Sequence, residues 1–131
     1  MTYQSTGTTT RWQPWTYRDR SWQDVDLTDF KIEATDGEIG KIDQATYELD
    51  GSYLIVDTGP WIFGKKVMLP AGVVNAVDLE NRLVLVDRTK EQIKNAPEFN
   101  DDMLHSPEYR ERIGMYYGEE GPGWYDRTRG F

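Results

Sequence analysis

The residues best suited to acid–base or nucleophilic chemistry are few and scattered. His105 is the only histidine, and Ser106 and Pro107 follow it directly in a polar stretch. A serine beside a histidine could supply a nucleophile and its base, but no nucleophile elbow or oxyanion loop surrounds this pair. We therefore interpret His105 as an exposed linker or capping residue, and we predict no catalytic residues and no enzymatic activity.

Clustered carboxylates are the next candidates. Asp24, Asp26 and Asp29 resemble the start of a calcium-binding loop. Such a loop needs a glycine at its sixth position and a bidentate glutamate at its twelfth, where this chain has Asp29 and Thr35. The spacing therefore predicts a solvated acidic entry to the first strand, and no metal site.

Asp57 and Asp87 each close an apolar run. Two carboxylates that face one another in a cleft can perform acid–base work, but carboxylates at strand ends more often accept hydrogen bonds from turn amides. Gly37 and Gly40 lack the strand–helix context and the lysine of a phosphate-binding loop. The chain has no cysteine, which excludes thiolate catalysis and cysteine metal sites. The sequence thus predicts no cofactor.

Charge restricts the partners. The 131 residues fit one domain and carry a net charge of -8. The acids concentrate in residues 24–80, which argues against a broad phosphate-binding surface. Near the N-terminus, Arg11, Arg18 and Arg20 outnumber Asp19. This basic stretch could reach a polyanion or the acidic body of a neighbouring subunit.

Localisation is predicted from what the sequence lacks. No apolar run approaches the roughly 18 residues that span a bilayer. Residues 1–10 are polar and have neither the basic nor the apolar region of a secretory signal. We expect a cytoplasmic protein with no membrane insertion.

The chain divides into an aromatic and arginine-rich N-terminal arm (1–23), a central domain (24–99) and a C-terminal helix with a glycine-rich, aromatic tail (100–131). The central domain alternates short apolar runs with turn signals such as Asp50-Gly51, the pattern of a small all-β domain. Strands this short and evenly spaced favour closure into a barrel, because closure removes exposed edges. The predicted strands include residues 30–32, 42–49, 53–56, 66–69, 73–77 and 83–86.

Two helices follow the predicted strands. Residues 89–92 form a capping box, which predicts a short helix ending near Asn95. Ser106 and Pro107 predict the start of a second helix, with Gly118 just beyond its end. One face of that helix is predicted to hold Tyr109, Ile113 and Tyr116 or Tyr117.

Three stretches resemble the PRC-barrel family. Residues 36–42 (DGEIGKI) resemble its opening turn, and residues 56–72 (VDTGPWIFGKKVMLPAG) resemble its central signature. Residues 83–97 (LVLVDRTKEQIKNAP) resemble the closing strand and following helix of stand-alone bacterial members. The resemblance covers about residues 27–99, and the ending at 116–118 (YYG) is similar to stand-alone tails.

The resemblance implies a small, strongly bent antiparallel β-barrel used for docking. The family includes the H subunit of photosynthetic reaction centres, a ribosome-maturation factor and archaeal cell-division adaptors, and a general stress role is also associated with it. This chain lacks the membrane helix of the first and the preceding barrel of the second, so neither partner carries over. The resemblance implies a structural or adaptor module that acts through protein–protein contacts.

The loop at residues 60–64 is the main candidate contact surface. Its large apolar side chains, Trp61, Ile62 and Phe63, either plug one mouth of the barrel or form an exposed aromatic contact. The two lysines that follow would supply a polar rim.

The two arms carry the remaining candidate contacts. Their aromatic side chains either cover their own barrel or cross to a neighbouring subunit, and we favour the second because a closed barrel leaves little apolar surface to cover. We therefore predict a homo-oligomer that self-associates through its arms. The alternative is a ribosome- or RNA-associated factor, with nucleic acid contacted only through such an assembly. The candidate residues are Trp12, Trp15, Tyr17, Trp22, Tyr116, Tyr117, Trp124, Tyr125 and Phe131.

Overall fold

The computed structural model describes residues 13–46, 52–59, 61–62 and 65–120, with the side chains of 119 and 120 excepted. The fold is mainly β, as predicted. Three short 3-10 turns accompany its strands and helices, at Arg20–Asp24, Ala71–Val73 and Asp101–Met103. The main elements are β1 (Lys31–Ala34), β2 (Gly37–Ala45), β3 (Tyr53–Asp57), β4 (Lys66–Pro70), β5 (Val74–Asp78), β6 (Leu83–Val86), α1 (Lys90–Lys94) and α2 (Pro107–Glu120).

The six strands form one mixed sheet in the order β4-β3-β2-β1-β6-β5. Neighbours pair antiparallel except β1 and β6, which run parallel. The prediction of a wholly antiparallel sheet was therefore wrong. The physical reason is that β2 to β5 together form the long crossover that a parallel pair requires.

The sheet is strongly curled but open. β4 and β5 lie at opposite edges of the strand order, yet only the three residues Ala71–Val73 link them in the chain. The two edges must therefore approach one another at this corner. Since β4 and β5 are not paired in the described part of the chain, the predicted barrel closure is not confirmed.

Gly40 marks the point where β2 passes from one neighbour to the other. The β1–β2 register shifts beside it, and Lys41 faces both Lys31 of β1 and Asp57 of β3. Gly40 has φ +145°, and a Cβ built on it would lie 2.0 Å from the carbonyl oxygen of Asp57. Only glycine permits this close approach of two backbones.

The core lies on both faces of β3. Tyr53 to Val56 are all buried, and one face of α2 packs into the core through Tyr109, Ile113 and Tyr117. This confirms the predicted face of the second helix. Its predicted end was wrong, because α2 continues through Gly118 to Glu120.

Local capping signals fixed the helix starts as predicted. The Thr89 side chain accepts from the Gln92 amide, and the Gln92 side chain accepts from the Thr89 amide. Asn95 caps the end of α1. The Ser106 hydroxyl oxygen accepts from the Tyr109 amide at 3.2 Å, which starts α2.

The described part of the N-terminal arm packs on its own domain. The carbonyl oxygens of Pro14 and Trp15 accept from the amides of Gly72 (2.7 Å) and Ser52 (3.1 Å). Tyr17 is only 2% exposed. At these residues the arm completes backbone hydrogen bonds at the β4–β5 corner of its own domain. The crossing of the arms to a neighbouring subunit stays a prediction.

Candidate interaction surface

The loop after β3 is held in place by a single buried hydroxyl. Thr58 is 1% exposed, and its Oγ1 lies 2.8 Å from the carbonyl oxygens of both Ile62 and Lys65. Backbone hydrogen bonds from Trp61 to Thr58 (3.1 Å) and from Lys65 to Ile62 (2.9 Å) close the same turn. These hydrogen bonds attach the described part of the loop to the end of β3.

Trp61 and Ile62 are both half-buried. Trp61 packs against the edge of the core, and the Lys90 ammonium lies 5.2 Å from its ring centroid, in the range of a cation–π contact. The Trp61 ring thus neither fills the interior completely nor stands free of the domain. It offers an apolar surface with a fixed orientation, which is the property of an interface anchor.

Three grooves surround this pair of residues. One of about 450 Å³ lies between Trp61 and the Gly40–Lys41 backbone, and one of about 350 Å³ lies between Trp61 and α1. The third, of about 190 Å³, lies between Ile62, the start of β4 and the segment after α1. We call this last one the β4 groove.

Lysines concentrate around these grooves. The chain has six lysines, of which only Lys31 lines none of the three. Acids line the same grooves, so lysines and carboxylates alternate around them: Glu38, Asp57, Glu91 and Glu98. The lysines that line the grooves are Lys41, Lys65, Lys66, Lys90 and Lys94.

Two of these lysines are paired with acids at the surface. The Lys66 ammonium lies 3.0 Å from the Asp43 carboxylate, and this hydrogen bond raises the pKa of Lys66. Lys65 contacts Glu98 and lowers the pKa of that carboxyl. Within the described part of the chain, Lys94 forms no ion pair. Its charge is therefore available to a partner.

A second polar cluster, which the sequence did not predict, lies inside the fold. Asp87 and Arg88 are 1% and 2% exposed, and the Asp87 carboxylate pairs with both Arg88 and Arg18. Arg88 also donates to the carbonyl of Tyr117 at 2.8 Å. Burial lowers the pKa of Arg88, and the adjacent carboxylate opposes that shift.

Arg18 connects this cluster to the N-terminal segment. Its Nε donates to the carbonyl of Gly72 at 2.9 Å, and its Nη1 donates to Asn75 Oδ1 at 3.1 Å. The prediction that Asp87 accepts from turn amides was therefore wrong. Its carboxylate is buried where strand β6 leads into α1, and two guanidinium groups compensate its charge.

The other polar candidates have local structural partners. Asp57 accepts from the Gly59 amide at 2.9 Å, as predicted for a strand end, and Asp26 accepts from the Thr28 amide at 3.0 Å. His105 is exposed in the connector before α2. The described residues contain no group of three or more potential metal-binding His, Cys, Asp or Glu side chains.

The predicted aromatic residues are not gathered on one surface. Trp15 and Trp22 are half-buried against the core, and Tyr17 and Tyr117 are buried. Tyr116 donates from its hydroxyl to the Gln92 carbonyl at 2.6 Å. The remaining candidates, Trp12, Phe63, Trp124, Tyr125 and Phe131, lie outside the described residues.

None of the helices that the structure describes is both long and apolar enough to cross a membrane. Comparison of the chain with protein-family models and with curated proteins gave no match. The family resemblance therefore remains an expectation drawn from the sequence.

Proposed function

We propose that this chain is a PRC-barrel module that works as a structural or adaptor protein through protein–protein contacts, self-associates, and catalyses no reaction. The observation that carries the proposal is the Trp61–Ile62 loop with its surrounding grooves and lysines. Interface centres combine a fixed aromatic anchor with a polar rim. Trp61 is such an anchor, and Lys65, Lys66 and Lys94 are such a rim.

The curvature of the sheet and two glycines support the proposed family. Three residues join opposite edges of the sheet, so the sheet has the strong curvature that a small bent barrel needs. Gly37 and Gly40, in the stretch that resembles the opening turn, both have positive φ. These features agree with the resemblance without depending on it.

Self-association through the arms has a narrower basis than the sequence indicated. Residues 14–18 contact their own domain through Gly72 and Ser52. An arm contact between subunits would therefore fall to residues 1–12 or to residues after 120. The Trp61–Ile62 surface is the alternative route, and it belongs to the described fold.

The ribosome or RNA alternative has weaker support. It rested on arginines and tryptophans of the N-terminal arm, and Arg18 is already engaged by Asp87 and Gly72. Co-sedimentation with small ribosomal subunits at moderate salt tests it directly. Pelleting that depends on the lysines around Trp61 would favour it over a protein partner.

The proposal is tested by measuring molar mass and captured proteins for three forms of the full chain: wild type, Trp61→Ala and Met115→Ala. Met115 is 58% exposed on α2 and serves as the matched apolar control. We expect Trp61→Ala to lose mass or a captured protein, and Met115→Ala to behave as wild type. A form lacking residues 1–12 reports on the arm. Monomers throughout, with identical captured proteins, would reject the proposal.

A further inference from the structure

The β5–β6 turn presents an exposed apolar side chain between two acids. Leu79 is 57% exposed, and only Leu79 and Met115 are exposed large apolar side chains in the described part of the chain. Asp78 precedes Leu79 and Glu80 follows it. A leucine flanked by carboxylates at a hairpin tip is suited to insert into an apolar groove with a cationic rim.

Hydrogen bonds within the chain hold this turn. The two Asp78 carboxylate oxygens accept from the Asn81 amide (3.1 Å) and from the Asn81 side chain (2.8 Å). At its base, the Lys31 amide donates to the Arg82 carbonyl at 3.0 Å. Because these hydrogen bonds hold the turn, presenting Leu79 to a partner loses little conformational entropy.

The β4 groove has the complementary character. Its apolar lining includes Ile62, Val67 and Pro97. Lys65, Lys66 and Lys94 stand at its rim together with Glu98, which is paired with Lys65, so Lys94 is the cation left for a partner. Its volume of about 190 Å³ suits one leucine side chain, since a cavity of about 150 Å³ holds a benzene molecule. Lys94, free of ion pairs with described side chains, can meet an incoming carboxylate.

The turn and the groove are separate features of the fold, since no residue of the turn lines the groove. The turn follows β5 at one edge of the sheet, and the groove lies beside β4 at the other. Each lies at the end of its strand remote from the Ala71–Val73 corner, and four strands lie between β4 and β5 in the hydrogen-bonded order. Leu79 is exposed and does not line the groove of its own chain, so a second copy is the occupant that we consider.

We propose that two copies of this chain associate head to tail, with Leu79 of one copy seated in the β4 groove of the next and Glu80 facing Lys94. The proposal rests on the self-association proposed above and specifies its contact. Two molecules of net charge -8 repel one another at a distance, so association requires local pairing of opposite charges. A head-to-tail pair has an unoccupied turn at one end and an unoccupied groove at the other. Further copies can therefore add to it, and the assembly either grows as a chain or closes into a ring.

The first test measures self-association of full-length variants by sedimentation equilibrium. We expect Leu79→Ser, Glu80→Lys and Lys94→Glu each to raise the dissociation constant of self-association at least tenfold. Met115→Ser and Glu108→Lys, both exposed on α2, are the matched controls and should leave it unchanged. Circular dichroism melting confirms that each variant is folded.

The second test uses the polarity of the contact. Leu79→Ser lacks the turn and Lys94→Glu lacks the groove, so an equimolar mixture retains one working contact per pair and should stop at dimers. The double variant Glu80→Lys with Lys94→Glu exchanges the two charges and should recover association. Failure of both results would overturn the head-to-tail contact.

The outcomes separate this contact from the broader proposal. If the wild type associates and Leu79→Ser associates equally well, the Leu79 contact is rejected while self-association stands. If the wild type is monomeric at every accessible concentration, both are rejected. A third outcome is that the wild type does not self-associate but binds small-subunit RNA, and that Lys94→Glu abolishes this binding. The groove would then serve a nucleic acid, and the Leu79 contact would also be rejected.

Discussion

Removing the Asp87 carboxylate is expected to destabilise the fold more than any surface change. Asp87 is 1% exposed and is the anion between Arg18 and Arg88. Asp87→Ala leaves the Arg88 guanidinium, 2% exposed, without its counter-charge. Breaking a buried ion pair by removing one partner costs about 3–5 kcal/mol. A domain of this kind has about 5–15 kcal/mol of total stability, so much of it would be lost.

Arg18 gives an internal comparison. The Arg18 side chain is 35% exposed. In Arg18→Ala, water can therefore replace part of the interaction that the Asp87 carboxylate loses. Its hydrogen bonds to Gly72 and Asn75 are lost together with the ion pair. We expect a cost of about 1–2 kcal/mol, below that of Asp87→Ala. Arg18→Lys keeps the charge but loses the planar fork, and should fall between wild type and Arg18→Ala.

Urea unfolding followed by tryptophan fluorescence and circular dichroism measures these free energies. Asp87→Asn keeps the shape and removes only the charge, so it separates packing from electrostatics. The double variant Arg18→Ala with Asp87→Ala should cost less than the sum of the single changes, because both remove the same pair. An Asp87→Ala protein within about 1 kcal/mol of wild type would refute the assignment of a buried, charge-compensating role.

Two further predictions concern packing and titration. Gly40→Ala should cost about 3 kcal/mol or more because its Cβ would overlap the Asp57 carbonyl oxygen. At Gly59 the φ is +56° and a Cβ would meet nothing within 4 Å. Gly59→Ala should therefore cost about 1 kcal/mol in the same unfolding assay. Equal costs for Gly40→Ala and Gly59→Ala would contradict the backbone contact at Gly40. Burial raises the pKa of Tyr117. The free energy of unfolding that depends on this hydroxyl should therefore be fully present below the pKa of the unfolded chain, about 10, and should fall as the pH rises above it. The buried hydroxyl of Tyr117 has no hydrogen-bond partner in the described structure. Tyr117→Phe should therefore be neutral or stabilising by about 1 kcal/mol at pH 7, and should lose less stability than the wild type at pH 11. A large loss of stability at pH 7 would show that the hydroxyl has a partner.

The sequence predicted the local elements of this fold well because their causes are local. The capping box at Thr89 needs only two residues three positions apart, and the start of α2 needs only Ser106 and Pro107. The buried run of β3 is visible as consecutive apolar side chains. In each case the residues that determine the structure are neighbours in the chain.

Strand pairing was predicted less well because its causes are distant in the chain. The parallel β1–β6 pair joins Ile32 to Val84, and alternation of apolar residues does not specify which strand lies alongside. The end of α2 was also missed. A glycine such as Gly118 allows a helix to end but does not require it. The residue directly before it, Tyr117, is buried and packs the helix against the core, and the helix continues to Glu120.

The candidate surface was found in part. Large apolar side chains between chain-breaking residues directed attention to Trp61 and Ile62, and the two following lysines were recognised as a rim. Lys90 and Lys94 were not, because α1 is folded against the loop only in the tertiary structure. Leu79 was not identified as exposed, since the exposure of one leucine cannot be inferred from its neighbours in sequence.

The Asp87 cluster explains why the arm and the helix belong to one folding unit. Arg18 reaches Asp87 from the N-terminal segment, and Arg88 reaches the carbonyl of Tyr117 on α2. The stretch that resembles the family supplies Asp87 and Arg88 but neither of those outer partners. The buried Asp87 carboxylate is stabilised by both guanidinium groups, so losing either one destabilises the cluster. The contacts therefore argue for a folding unit that extends from residue 14 to α2, with the docking surface around Trp61 presented on a domain that those outer segments complete.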